Sequence, residues 1–198
     1  MPKIVNKEER RKEIALSCKK LFIEKGINAL TIAEVAKTAG IGKGTIYEYF
    51  ENKDDIIFTI VDILVEEKDK IREKAMKELN STRDKVKLFF KFFYDEDNKD
   101  LRKLYKEFIS INLMSPSEIM FCRKTEKYCK YQSLFHSIIE EGVKKNEIKP
   151  EALKLVKGLH SLGTGFFVIF NTSDAIEDME KEINEYIDAL FEFIEVKK

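Results

Sequence analysis

Apolar positions along the first sixty residues recur at helical spacing and are cut into short runs by turn residues. Ile14, Cys18, Leu21 and Phe22 form one stripe, which predicts a helix from about Lys7 to Lys25 that Gly26 ends. Ile32, Val35, Ala36 and Ala39 then fall at i, i+3, i+4 and i+7, and Gly40 stands where a chain leaving a helix needs a left-handed residue. Ile41 and Ile46 resume the buried face, and Tyr49 and Phe50 close it. Two start signals set the frame: Thr31 with Glu34, and Asn52 with Asp55, each pair spaced as a capping box. Two short helices with a small residue (Ala36) at the crossing and a glycine in the turn make a helix-turn-helix, its second helix running from Lys43 to Tyr49.

The rest of the chain reads as helix throughout. Ile56, Ile57, Ile60, Val61, Leu64 and Val65 line a long helix from Asp54 to about Leu79, with no flexible linker inside it. Ser81 with Asp84 opens a helix whose stripe is Val86, Phe89, Phe90 and Phe93, and a polar loop follows at 95–100. Further helices are predicted over Leu101–Met114, from the Ser115–Ser117 break to about Asn146, from Glu151 to Phe170, and from Ile176 to Val196. The β-branched residues keep helical spacing and suggest no strand pair. The expectation is an all-α chain of about nine helices, divided into a helix-turn-helix domain over 1–53 and a second helical domain over 54–198.

The stretch from Leu21 to Ile56, with its core ALTIAEVAKTAGIGKGTIYEYFENKDDI, resembles the N-terminal signature of the TetR-type transcriptional repressors. That resemblance implies double-stranded operator DNA as a partner, with the Lys43–Tyr49 helix in the major groove. Mapped onto this chain it implies contacts from Thr31, Gly42, Lys43, Gly44, Thr45, Tyr47, Tyr49 and Lys53. Thr31 and Lys53 would hold phosphates, Lys43 and Thr45 would reach bases or adjacent phosphates, and the two tyrosines would donate hydroxyls to phosphates. Gly44 would let the helix come close, because a Cβ there would stand in the way. The chain departs from the family pattern at Gly42, where Ser or Ala is common, and at Tyr49, where His is common.

The same resemblance implies a C-terminal body that senses a small molecule and pairs with a second copy. Leu64, Phe89, Phe93, Phe108, Asn112, Tyr128, Tyr131, Phe135, Phe166 and Phe170 are the expected lining of an apolar pocket for an apolar or amphipathic effector. Leu155, Leu159, Leu162, Gly163, Phe167, Ile183, Ile187 and Leu190, on the last two helices, are the expected homodimer interface. The helix over 151–170 is apolar around so much of its circumference that both of its sides are expected to be covered.

Composition narrows the alternatives. Lys and Arg total 36 and so do Asp and Glu, so a general polybasic binder is excluded. The charge is uneven, however: residues 1–53 hold eleven basic and seven acidic side chains, a net +4, which leaves −4 on the remainder. One basic end on an acidic body suits a polyanion bound at that end. No apolar run approaches the roughly 18–20 residues of a membrane span, and residues 2–13 are too polar for a secretion signal. Three cysteines without C-x-x-C spacing suit a reducing cytoplasm. Cys122, Cys129 and His136 recur every seven residues, about 10.5 Å apart along a helix, too far for one metal or an intrahelical disulfide. GIGKGT lacks both the Ser/Thr after its lysine and the preceding strand of a phosphate-binding loop. No residue set supports catalysis, and no cofactor or metal is expected. A ligand-binding helical protein with a vestigial helix-turn-helix is the alternative, separated from a regulator by the loss of specific DNA binding.

Overall fold

The computed structural model describes residues 6–114 and 118–197; the side chains of Asn112, 118–124 and Lys127 lie outside the description. The Ser115–Ser117 break and the Asn112 side chain therefore fall outside it. Among the described residues, ten α-helices run in the order α1 (Lys7–Ser17), α2 (Lys19–Lys25), α3 (Ile32–Ala39), α4 (Lys43–Tyr49), α5 (Lys53–Glu78), α6 (Thr82–Phe90), α7 (Lys99–Met114), α8 (Glu118–Lys144), α9 (Val156–Thr172) and α10 (Met179–Ile194). Among the described residues there is no strand; one isolated bridge pairs Ile148 with Glu195. The fold is all-α, as the periodicity predicts.

The first expected helix differs in detail, because it breaks at Cys18 into α1 and α2. Ser17 turns its hydroxyl back onto the carbonyl of Ile14 at 2.7 Å, while the Cys18 N–H bonds Ala15 three residues back. This local competition tightens one turn without changing which face is buried. Ile14, Cys18 and Phe22 are all buried. Burial pushes the Cys18 thiol up, away from reactive thiolate.

The chain packs as two compact units, Met1–Lys70 with Lys99–Pro116, and Ile71–Asn98 with Ser117–Lys198. In the first unit Phe22, Ile27, Leu30, Val35, Ile46, Phe50, Ile56 and Ile60 form the core. Each such side chain contributes roughly 1.5–3 kcal/mol by leaving water. On α7, the Phe108 ring meets Phe58 edge-on at 5.3 Å, and the Glu107 carboxylate accepts the N–H of Ile27 at 3.4 Å. In the second unit Val86, Phe90, Phe135, Ile139, Ile183, Ile187 and Phe191 bury the facing sides of α6, α8 and α10. Buried Thr82 donates its N–H and hydroxyl to one oxygen of Glu147, at 2.8 and 2.6 Å. Burial alone would raise the Glu147 carboxyl, but those two bonds and the nearby lysines outweigh it and hold it low. At the end of α10 the bridge is closed by Lys149 N–H on Ile194 O and Val196 N–H on Glu147 O. The 3₁₀ turn Pro150–Leu155 occupies the first turns of the helix expected from Glu151.

Candidate functional site

The helix-turn-helix is assembled by local chemistry. Thr31 caps α3: its hydroxyl accepts the Glu34 N–H, and the Glu34 carboxylate accepts the Thr31 N–H at 2.9 Å, a complete capping box. Gly40 takes φ +68° in the turn, a conformation a side chain would strain. Ile46 and Phe50 are buried, and α4 packs against α3. Asn52 caps α5 through Asp55 N–H at 2.9 Å, but the Asp55 carboxylate turns to the N–H of Glu51 and to Arg11.

That core leaves one face of α4 outward. Gly42, Lys43 and Gly44 are exposed, and 53% of Tyr47 is accessible. Lys43 and Tyr47 are four apart and share this face with Gly44. Around a Cβ built on Gly44 there is open space, so nothing inside the described chain requires a glycine there. Thr45 and Tyr49, also four apart, lie half-buried on the adjacent face, with the Lys7 ammonium 6.0 Å from the Tyr49 ring.

Two expected phosphate holders are engaged within the fold. The Lys53 ammonium donates to the carbonyls of Ile27, at 2.9 Å, and Leu30, which leaves one of its three N–H groups for any outside acceptor. Both Thr31 donors go to Glu34, so an anion at this helix end would meet the N–H groups of Ile32 and Ala33. Sequence reasoning missed Arg11, whose guanidinium joins Tyr49 O, Asp55 and Thr59. Only its place on the polar side of α1 marked it, and that does not distinguish it from Arg10.

The residues expected to line a pocket separate into groups. Phe89, Tyr131 and Phe135 converge, with Phe89 4.9 Å from Phe135 and 6.5 Å from Tyr131. Tyr128 joins them through His160, which sequence reasoning did not place there: the imidazole stands 4.8 Å from Tyr128 and 5.9 Å from Phe89. Arg72 lies over Phe89 and Tyr131 at 5.6 and 5.2 Å. Phe93 packs instead against Phe90, Phe92 and Phe167. Phe166 meets Tyr186, and Phe170 is exposed. Leu64 and Phe108 belong to the first unit, Leu64 half-buried and Phe108 between Phe58 and Tyr105.

The expected dimer residues also divide. Leu159, Phe167, Ile183 and Ile187 are buried in the chain's own core, and a Cβ at Gly163 would overlap the Phe93 ring. Leu162 and Leu190 are half-buried, and Leu155 is exposed. α9 is therefore covered on one side by its own chain, while Leu155, Ile169 and Phe170 stay accessible, as do Tyr186 and Phe193 on α10. Contrary to the expectation that no stretch approaches a membrane span, Pro150–Thr172 is long and apolar enough by composition to match one. The apolar residues on its covered side belong to the core just described.

An all-α chain that seats a capped helix-turn-helix on a long following helix defines a helix-turn-helix regulator. Residues 18–60 match the family described as bacterial regulatory proteins, tetR family. The uncharacterized HTH-type transcriptional regulator YhgD of Bacillus subtilis (strain 168) is 31% identical over 144 residues, which cover 72% of this chain and 73% of YhgD. The chain belongs to the TetR family of DNA-binding transcriptional regulators. The TetR-family regulator from Cytophaga hutchinsonii shares the fold at TM-score 0.80 and 18% identity, over 99% of this chain and all of that one. FadR of Bacillus subtilis, solved with stearoyl-CoA, shares it at TM-score 0.64 and 20% identity, over 90% of this chain and 96% of FadR.

Proposed function

We propose that the protein is a cytoplasmic, ligand-responsive repressor rather than an enzyme. It binds a palindromic operator as a homodimer and leaves it when a small apolar or amphipathic effector occupies the C-terminal body. The observation that carries this reading is the outward face of α4: Lys43 and Tyr47 flank Gly44, whose missing Cβ serves nothing within the described chain. A glycine inside an exposed helix costs about 1 kcal/mol relative to alanine. Close approach of a duplex gives that cost a purpose.

Lys43 and Thr45 reach bases or adjacent phosphates, Tyr47 and Tyr49 reach phosphates, and the remaining Lys53 N–H and the α3 end add register. Dimerisation is supported by Leu155, Gly158, Gly165, Ile169, Phe170, Tyr186 and Phe193, an apolar face with two helix glycines that have open space around them. Half-sites about 34 Å apart require a two-fold reader. The aromatic cluster in the second unit supports an effector site, and FadR carries a bound acyl thioester on the same fold. α5 is unbroken from Lys53 to Glu78 and would carry a shift in the body to the domain over 1–53. The effector must then bind the released conformation better than the DNA-bound one.

The test is fluorescence anisotropy of the full chain on DNA from upstream of its own coding region, titrated with salt and compared with unrelated DNA. Lys43→Ala and Tyr47→Ala should each weaken specific binding, with Lys43→Ala also flattening the salt dependence. Equal affinity for both DNAs at every salt concentration would overturn the repressor reading and leave the ligand-binding alternative.

A further inference from the structure

Within the second unit, His160 carries a polar atom that the described residues leave unsatisfied. Its Nδ1 is buried and has no hydrogen-bond partner among the described residues. Such an atom has given up its water without gaining a partner, which is destabilising until a partner is supplied. Burial also holds the imidazole below its ordinary pKa, so at neutral pH it offers one donor and one acceptor rather than a charge.

The surroundings describe what would satisfy it. The Tyr128 ring stands edge-on to the imidazole at 4.8 Å, Phe89 lies 5.9 Å away, and Tyr131 and Phe135 extend the aromatic wall. Tyr128 keeps 38% of its surface accessible, so the cluster opens to solvent on that side. The Arg72 guanidinium lies over one side of Phe89 and of Tyr131 and would repel a cationic ligand. A carboxylate at buried Nδ1 would lose its hydration and meet a neutral imidazole, because the described ring contacts of Arg72 are with Phe89 and Tyr131 and not with His160. A hydroxyl donates or accepts as the imidazole tautomer requires, at little desolvation cost.

We propose that His160 Nδ1 is the polar anchor of the effector site, and that the effector is a neutral phenol-type molecule. Its ring lies against Phe89, Tyr128 and Tyr131, and its hydroxyl bonds the imidazole. This rests on the reading that the aromatic cluster binds an effector.

The chain has two histidines, and His136 is exposed, so an imidazole-¹⁵N spectrum of the full-length protein carries its own control. The probes are 4-ethylphenol and ethylbenzene, which differ by the hydroxyl alone. 4-Ethylphenol should move the His160 Nδ1 resonance, leave His136 in place, and bind on the order of tenfold more tightly than ethylbenzene. His160→Phe, which fills the same space with an apolar ring, should bring that ratio close to one, and His160→Gln should retain part of it. Equal binding of both probes with an unmoved His160 resonance would keep the effector site and overturn the anchor. Binding of neither probe would remove the effector site from this cluster, and with it the ligand half of the proposed function.

Discussion

The guanidinium of Arg11 on α1 meets the carboxylate of Asp55 on α5 at 2.6 Å, with only 19% and 15% of the two side chains exposed. The same guanidinium donates to the carbonyl of Tyr49, the last residue of α4, and to the Thr59 hydroxyl at 3.0 Å, and it lies 4.7 Å from the Phe50 ring. One side chain thus ties α1, the end of α4 and α5 together. The angle at which α4 is presented depends on it.

Arg11→Met keeps the aliphatic stem and removes the fork, which leaves Asp55 charged and partly buried. Breaking a fully buried pair costs about 3–5 kcal/mol; with this much residual exposure the expected loss is about 2 kcal/mol. Urea unfolding of wild type and variant should show it as a lower midpoint with an unchanged slope. Operator affinity should fall as well, because the carbonyl end of α4 loses its anchor.

The Glu34 carboxyl is held at about 2, first by the hydrogen bond from Lys25 and then by the two Thr31 donors. Its folded value lies below its unfolded one, so the carboxylate stabilises the fold above the unfolded value of about 4.5 and loses that effect as pH falls toward about 2. Glu34→Gln retains a capping oxygen without the charge. The melting temperature of wild type should exceed that of Glu34→Gln at pH 6, and the gap should narrow steadily between pH 4.5 and pH 2. A constant gap across that range would show that the charge contributes nothing.

How much of this was legible in the sequence follows from the range of each interaction. The Thr31 cap, the Gly40 turn and the buried Ile46 obey rules spanning three to seven residues, and the structure has all three. The Cys18 break escaped because the apolar stripe runs through it unchanged while the cause is a Ser17 hydroxyl bond. Arg11 and Asp55 are 44 residues apart, and no periodicity connects them. Lys53 reads as a surface cation until the fold brings two carbonyls to it. On α9 two adjacent stripes are both apolar, so pattern alone could not decide which one faces inward. The core takes Val156, Leu159, Gly163 and Phe167, and leaves Leu155, Ile169 and Phe170 outside. His160 was unreadable for the same reason.

Gly44→Ala separates folding from recognition. The added methyl meets nothing within 4 Å in the free protein, so the helix should gain about 0.5–1 kcal/mol from replacing glycine. If α4 lies against the operator on this face, the same methyl stands between them and affinity should drop. A raised melting temperature together with weaker anisotropy binding is the expected pair of results. An unchanged affinity would show that α4 does not approach DNA on this face.

Gly163 and Gly165, two residues apart on α9, should respond in opposite ways to the same change. A Cβ at Gly163 runs into the Phe93 ring, so Gly163→Ala must push α9 from its own core and should cost about 1–3 kcal/mol of monomer stability. A Cβ at Gly165 meets open space, so Gly165→Ala should leave the monomer as stable or slightly more so. If two copies of α9 cross at this glycine, the methyl holds them apart, and sedimentation equilibrium should show a raised dimer dissociation constant. Ile169→Glu, at a position 45% exposed on the same helix, should abolish the dimer with little change in monomer unfolding, because its charge stays in water until a second copy covers it. A dimer that persists in both variants would place the subunit interface away from this face of α9.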